Sequence, residues 1–478
     1  MSHPEGDNQE STGASASTKR RSFIAGLGSL VGVNAVGGAT AQGKGNGRGR
    51  GRTRNLIVMI PDGSSQTWNT AARYYRAYEE EPESFPRSVA DVELAVDRAD
   101  DVGSVSTHPA DPEDTVTDSA AAGTAIAAGQ KTYNGAISVD TSGRPVETIL
   151  ERATDAGYAA GLVTTTQITH ATPASFAAHV EDRGMQEEIA RQYIEEQDLD
   201  LLLGGDRSHF RATDRSDGRD LIAAAEDDGF QYVETASELD GVDEGKVLGL
   251  FNESGHLDYY LDRERDPENT QPGLPEMVEA AIDLLEKRSD RGFFLMVEGG
   301  RIDHAAHGND PAGIAEQVEY DEALGVAMDY VEDGPGHGRG PSDTMVVNVP
   351  DHETGGLVLA RDRYQQDWGA IVGQSASQGV LESEVAELSS ASAVREYVAE
   401  QVGIDDLTDD EVAELLDDPS AIAGNGLISE RAQISWGTNN HSATDVPVYA
   451  KGQYSEYFAG HRQNSDLLRG FETHLGLR

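Results

Sequence analysis

From residue 55 onward the chain alternates between continuous apolar runs and stretches of helical period. NLIVMI (55–60) is apolar at all but its first position, as in a strand buried on both faces. SSQTWNTAARYYRAYEE then reads as a helix. VGSVST (102–107) reads as a strand, TILERATDAG (148–157) as a helix stopped at Gly157, and AAGLVTTT (159–166) as a strand. LDLLLGG (199–205), GFFLMVEGG (292–300), TMVVNVP (344–350) and VPVYAKG (446–452) continue the series. Strands interleaved with helices predict an α/β fold with a central, mainly parallel sheet covered on both faces. Residues 360–430 are more polar and rich in helical patterns, with a capping box between Thr408 and Glu411. They read as an insertion on the same domain, and no internal repeat is visible.

The first 54 residues do not belong to this pattern. Arg20-Arg21 precede Ser22-Phe23-Ile24, a Gly-rich apolar run and Ala39-Thr40-Ala41. This is the layout of a twin-arginine export signal over residues 1–41, with an A-x-A cleavage site. The run is too short and too Gly-rich for a membrane span, and no other segment reaches the ~18 apolar residues a span needs. Residues 42–54 read as a flexible basic linker. The catalytic domain is expected over 55–478, in an exported protein without a stable membrane anchor.

Charge changes the picture further. The chain holds 85 Asp and Glu against 37 Lys and Arg, a formal charge of −48. A surface this acidic excludes nucleic acid as a partner, because phosphate backbones need basic groups. The carboxylates are spread along the chain, and only six lysines occur. That balance fits a high-salt environment, where molar salt screens self-repulsion. There is no cysteine, so any transition-metal site must use His, Asp and Glu. AAGQKTY (127–133) is no phosphate-binding P-loop, since its Gly and Lys are not adjacent.

Ligands of open α/β sheets sit beyond the carboxyl ends of the strands. The unusual polar clusters fall there. Asp62 follows the first strand; His170 and Thr172 follow AAGLVTTT; Glu298, Asp303, His304 and His307 follow FFLMV; Asp351 and His352 follow TMVVNVP; His441 precedes VPVYAKG. These clusters hold five of the 13 histidines. Asp303 and His307 are four apart and share one face of a helical turn. Mixed Asp/His sets without thiolate suit a catalytic zinc. Glu298 and Thr172 offer hard oxygens, better matched to magnesium. VTDSAAAGTAIAAG (116–129) reads as an Ala/Gly-rich helix beginning at Ser119, whose start would present N–H groups to an anion.

With these motifs in order, the chain closely resembles the metal-dependent alkaline phosphatase family. PDG, TDSAAAGTA, HATPASFAAHVEDR, LLLGGD, VEGGRIDHAAH, PDHETGG and NHSATDVPVYAKG all appear, and FAGHRQNSDL resembles the family's closing segment. The resemblance runs from about residue 55 to the end. It implies a three-layer α/β sandwich and hydrolysis of phosphate monoesters through a phosphoserine on Ser119. By the same resemblance Arg183 clamps the substrate phosphate and Asp118 orients Arg183. It implies one zinc on Asp303, His307 and His441, a second on Asp62, Asp351 and His352, and magnesium on Asp62, Thr172 and Glu298. It also implies a homodimer. Two positions depart from the best-known bacterial pattern: His170 replaces an aspartate and His304 a lysine. Both are common to a subtype, and His170 puts the identity of the third metal in question.

Two rival readings account for fewer of these residues. A phosphodiesterase or sulfatase of the same superfamily would lack Arg183 or carry a C/S-x-P-x-R motif, whereas Ser119 precedes three alanines. A secreted acidic metal-binding protein would not need Ser119 and Arg183 beside the histidine clusters.

Overall fold

The computed structural model describes residues 54–334 and 343–478. The expected leader, and the linker up to residue 53, lie outside the described residues. Arg54, assigned above to the linker, opens the first strand and pairs with Asp343.

Twelve strands can be followed in the described residues: β1 (Arg54–Ile60), β2 (Asp101–Ser106), β3 (Ala159–Gln167), β4 (Leu201–Gly205), β5 (Phe230–Val233), β6 (Lys246–Leu250), β7 (Phe293–Glu298), β8 (Asp343–Asn348), β9 (Glu353–Thr354), β10 (His441–Ser442), β11 (Val446–Gly452) and β12 (Gly460–Gln463). Ten form one sheet in the order β12-β2-β11-β8-β1-β7-β3-β4-β6-β5. Within it β11 alone runs antiparallel to its neighbours. β9 and β10 make a separate antiparallel pair with His441 opposite Thr354. The strand expected to be last, VPVYAKG, is β11; β12 follows it and forms the sheet edge beside β2.

Alternation along the strands explains the layering. Ile57 and Met59 of β1 enter one apolar cluster, while Leu56, Val58 and Ile60 enter another. β7 divides the same way, with Phe293, Leu295 and Val297 on one side and Phe294 and Met296 on the other. Each face therefore needs a cover. The helices Gln66–Glu80, Leu274–Arg288 and Gly313–Asp333 supply one layer. Ser119–Ala128, Ile149–Asp155, Ala171–Ala177, Gln186–Glu195 and Leu468–Leu475 supply the other. Residues 369–432 carry short helices around a third apolar cluster that includes Leu381, Val398, Leu415 and Ile428. There Thr408 and Glu411 form the capping box.

Candidate active site

Beyond the carboxyl ends of the central strands, the expected residues come together. Asp62 lies two residues past β1, Glu298 ends β7, and Asp351 and His352 follow β8. His170 precedes the helix Ala171–Ala177, which carries Thr172; Asp303, His304 and His307 lie on the helix Arg301–His307. The β9–β10 pair brings His441 beside the segment that holds His352, and their rings stack at 3.6 Å.

Local chemistry explains each placement. Asp118 adopts extended backbone and caps the helix Ser119–Ala128, accepting from Ala121 N at 2.9 Å. Its other oxygen accepts from Gly135 N at 2.9 Å and from Arg183 at 3.0 Å. One carboxylate thus starts the serine's helix and aims the arginine. Gly63 has φ +74, and a Cβ there would lie 2.7 Å from Asp303 Cα. Only glycine permits both that turn and the approach of Asp303.

Three groups of ligand atoms converge: Asp303, His307 and His441; Asp62, Asp351 and His352; and Asp62, His170 and Glu298. Thr172 Oγ1 lies 3.4 Å from Asp62 Oδ2. The tautomers of the first set are dictated by carbonyls, which can only accept. His307 Nδ1 donates to Asn439 O at 2.7 Å, and His441 Nδ1 to Thr117 O at 2.8 Å. In the neutral rings both Nε2 atoms then carry lone pairs, and they face each other at 3.1 Å. A cation between them satisfies both. Asp62 Oδ1, Glu298 Oε1 and His170 Nδ1 are likewise buried with no hydrogen-bond partner, and Asp351 Oδ2 lies 2.9 Å from His352 Nε2. Such donor sets fit divalent metal ions.

The electrostatics agree. Burial, followed by the Asp351, Asp303 and Glu298 carboxylates, pushes the Asp62 carboxyl well above its ordinary range. Burial and the neighbouring His352 lower His441 to about 4, leaving a neutral imidazole able to ligate. Ser119, 2% exposed, places Oγ 3.2 Å from His352 Nε2. Arg183 reaches His170 Nε2 at 3.0 Å through its second amino group.

His304 stands apart from the three ligand groups. It belongs instead with His256, whose ring centroid is 4.2 Å away, and His170, at 5.6 Å. Sequence reasoning passed over His256. It is a lone histidine in a turn-rich loop, and only the fold brings it to the site. Leu257 N donates to Thr165 O at 3.0 Å, stitching that loop to β3.

Comparison with known proteins follows the same lines. The alkaline phosphatase family model matches residues 53–477. Alkaline phosphatase 3 of Bacillus subtilis is 36% identical over 436 residues, covering 87% of this chain and 87% of that protein. The crystal structure of a cold-active alkaline phosphatase from Shewanella sp. superposes with a TM-score of 0.76 at 31% identity, covering 88% of this chain and 99% of the other. A His-to-Asp variant of the alkaline phosphatase from the Antarctic bacterium TAB5, with magnesium in its M3 site, superposes at 0.62 with 26% identity, covering 89% and 98%. The chain therefore belongs to the alkaline phosphatase family, whose members are phosphomonoester hydrolases.

Proposed function

We propose that the chain hydrolyses phosphate monoesters in two displacements through a phosphoserine on Ser119, with two zinc ions and one magnesium as cofactors. The convergence of Ser119, the Asp118–Arg183 pair and three ligand sets on one site carries this reading. Asp303, His307 and His441 would hold one zinc, and Asp62, Asp351 and His352 the other. Asp62, Thr172 and Glu298 would hold magnesium beside His170. Bound there, the cations supply Lewis acidity, lowering the pKa of hydroxyl and water and neutralising phosphoryl charge.

Ser119 Oγ bonds to phosphorus as the ester P–O bond breaks, and the alcohol leaves with a proton. Water then attacks the phosphoserine, releasing inorganic phosphate and restoring the hydroxyl. Arg183, held by Asp118 and His170, offers its guanidinium to two phosphoryl oxygens. Two displacements retain configuration at phosphorus and allow transfer to competing alcohols. In the TAB5 protein, magnesium occupies M3 when a histidine has become aspartate. We place His170 at that position. As a softer donor than carboxylate, it favours zinc or another transition metal when magnesium is scarce, which metal content per chain measures.

Assaying p-nitrophenyl phosphate against its bis ester, with and without chelator, tests the reading. Monoesterase activity lost on chelation is expected. A chelator-resistant or diester-preferring activity would sink it.

The same proposal includes export by the twin-arginine route and a homodimer. Mass spectrometry of the mature N-terminus checks the first, with an uncleaved chain as the contrary result. Light scattering checks the second, with a monomer mass as the contrary result. None of the described helices is long and apolar enough to cross a membrane.

A further inference from the structure

The helix Arg301–His307, which carries Asp303 and His307, ends at a junction of three segments. Asn309 follows it with φ +54, the left-handed turn that stops a helix and that asparagine tolerates better than most residues. Asn309 is 3% exposed, so each atom of its amide needs a partner. One orientation of the amide supplies four. The nitrogen donates to Ala306 O at 3.1 Å and to Thr438 O at 2.8 Å, and the oxygen accepts from Asn425 Nδ2 at 3.2 Å and from Asn439 Nδ2 at 3.0 Å. The reverse orientation would set oxygen against carbonyls and nitrogen against N–H groups, so hydrogen-bond chemistry selects the first.

The partners belong to three parts of the site's frame. Ala306 lies in the helix of His307. Thr438 and Asn439 lie in the loop that leads to His441. Asn425 comes from the helix-rich segment 369–432, which has an apolar cluster of its own. Asn439 completes the connection. Its amide also donates to His307 O at 3.1 Å, and its carbonyl accepts from His307 Nδ1 at 2.7 Å. This loop is exposed, and its backbone N–H groups at Gly437 and Thr438 donate to Gly355 O, away from the helix of His307. Attachment to that helix is carried by side chains, and Asn309 is the buried one. Asp310 bolts the same junction to segment 369–432, accepting from Gln374 Nε2 at 2.9 Å and from Gln378 N at 2.7 Å.

We propose that Asn309 is a positioning residue for the His307–His441 pair, and that through it segment 369–432 serves a metal centre to which it supplies no ligand group. The Asn439 carbonyl fixes Nε2 of His307 as the lone-pair atom, and Asn309 fixes that carbonyl. The same clamp holds the loop that brings His441 Nε2 within 3.1 Å of His307 Nε2. Without it the loop can lift off the helix, widening that gap and freeing the His307 ring to turn. This rests on the reading of Asp303, His307 and His441 as a metal site.

Release of zinc from the zinc-loaded protein into excess chromogenic chelator, followed by absorbance, tests the proposal. His441→Ala removes a ligand of this set alone and so identifies the phase that belongs to it. Asn309→Gly keeps the left-handed turn accessible and removes all four hydrogen bonds. That one ion should then leave about tenfold faster or more, with the other ions released at the unmutated rate. Asn425→Ala cuts only the tie to segment 369–432 and should speed the same phase about threefold. In the double variant the tie is already lost, so release should match that of Asn309→Gly alone; additive acceleration would overturn the route through Asn309. An unchanged phase in Asn309→Gly would overturn the proposal, as would equal acceleration of every phase, the mark of a generally loosened fold. If Asn309→Gly does not fold, Asn425→Ala decides, because Asn425 is exposed: a selective rise supports the proposal and an unchanged phase overturns it. An unmutated chain that binds no zinc would overturn the metal-site reading itself, and this proposal with it.

Discussion

A serine hydroxyl is a weak nucleophile, so the worth of Ser119 depends on what surrounds it. Its oxygen is buried beside His352, one of three residues, with Asp62 and Asp351, that converge without it on a candidate metal position. Chemistry and metal loading should therefore separate in Ser119→Ala. Hydrolysis is expected to fall by about 10³-fold or more while metal content per chain stays unchanged. Acid-quenched samples with labelled phosphate should show no covalent phosphoenzyme; label on the variant would refute the nucleophile assignment. Most site residues were legible at this scale for a physical reason. Acids and histidines following apolar strands stand out in a chain with few histidines, as Asp351-His352 and Asp303-His304-Ala-Ala-His307 do. His256 did not stand out, because its contacts with Gln167 and His304 arise only in the fold.

The run of small residues after Ser119 acts at the scale of the element. Helix Ser119–Ala128 is buried along its whole length and lies against helix Ala171–Ala177. At Gly123, one turn past the serine, an added Cβ would lie 2.7 Å from Ser175 Oγ and 2.9 Å from Ser175 Cβ. Small side chains thus let the helix carrying the nucleophile approach the one carrying Thr172. Gly123→Ala should destabilise the fold by about 1–3 kcal/mol and lower kcat, because the clash displaces the start of the helix. Adding Ser175→Gly should recover part of the loss. A denaturation cycle with coupling below about 0.5 kcal/mol would show that the contact does not govern the packing. Legibility at this scale followed burial. NLIVMI and VPVYAKG agree with β1 and β11 to within a residue, since their apolar runs fill the middle of the sheet. β5, β6 and β12 went unread: FQYV is four residues long, KVLGL is interrupted by Gly249, and GHRQ is a polar edge. Nor does periodicity carry direction, so the antiparallel course of β11 had no signal.

Across the whole molecule two electrostatic effects oppose each other. Arginines are bound up in surface pairs, such as Arg98 with Asp329 and Glu332 or Arg191 with Glu188 and Glu196, and salt weakens these. Each such pair contributes about 0–1 kcal/mol. Repulsion acts the other way. With 85 acids and 37 bases, one-to-one pairing would leave 48 carboxylates without a cationic partner. At about 0.1 M salt the Debye length is ~10 Å, so neighbouring surface carboxylates still interact; at about 1 M it is ~3 Å, and they do not. The excess acts collectively while each exposed pair contributes little, so relief of repulsion should win. Tm is expected to rise steadily from 0.1 to 3 M KCl, most steeply below about 1 M, where the Debye length changes fastest. Sulfate salts also stabilise proteins by exclusion from their surface, so the comparison that isolates screening is KCl against an uncharged osmolyte. A Tm that is flat or falling in KCl would mean that the pairs outweigh the excess carboxylates, and would remove the physical basis for a high-salt habitat.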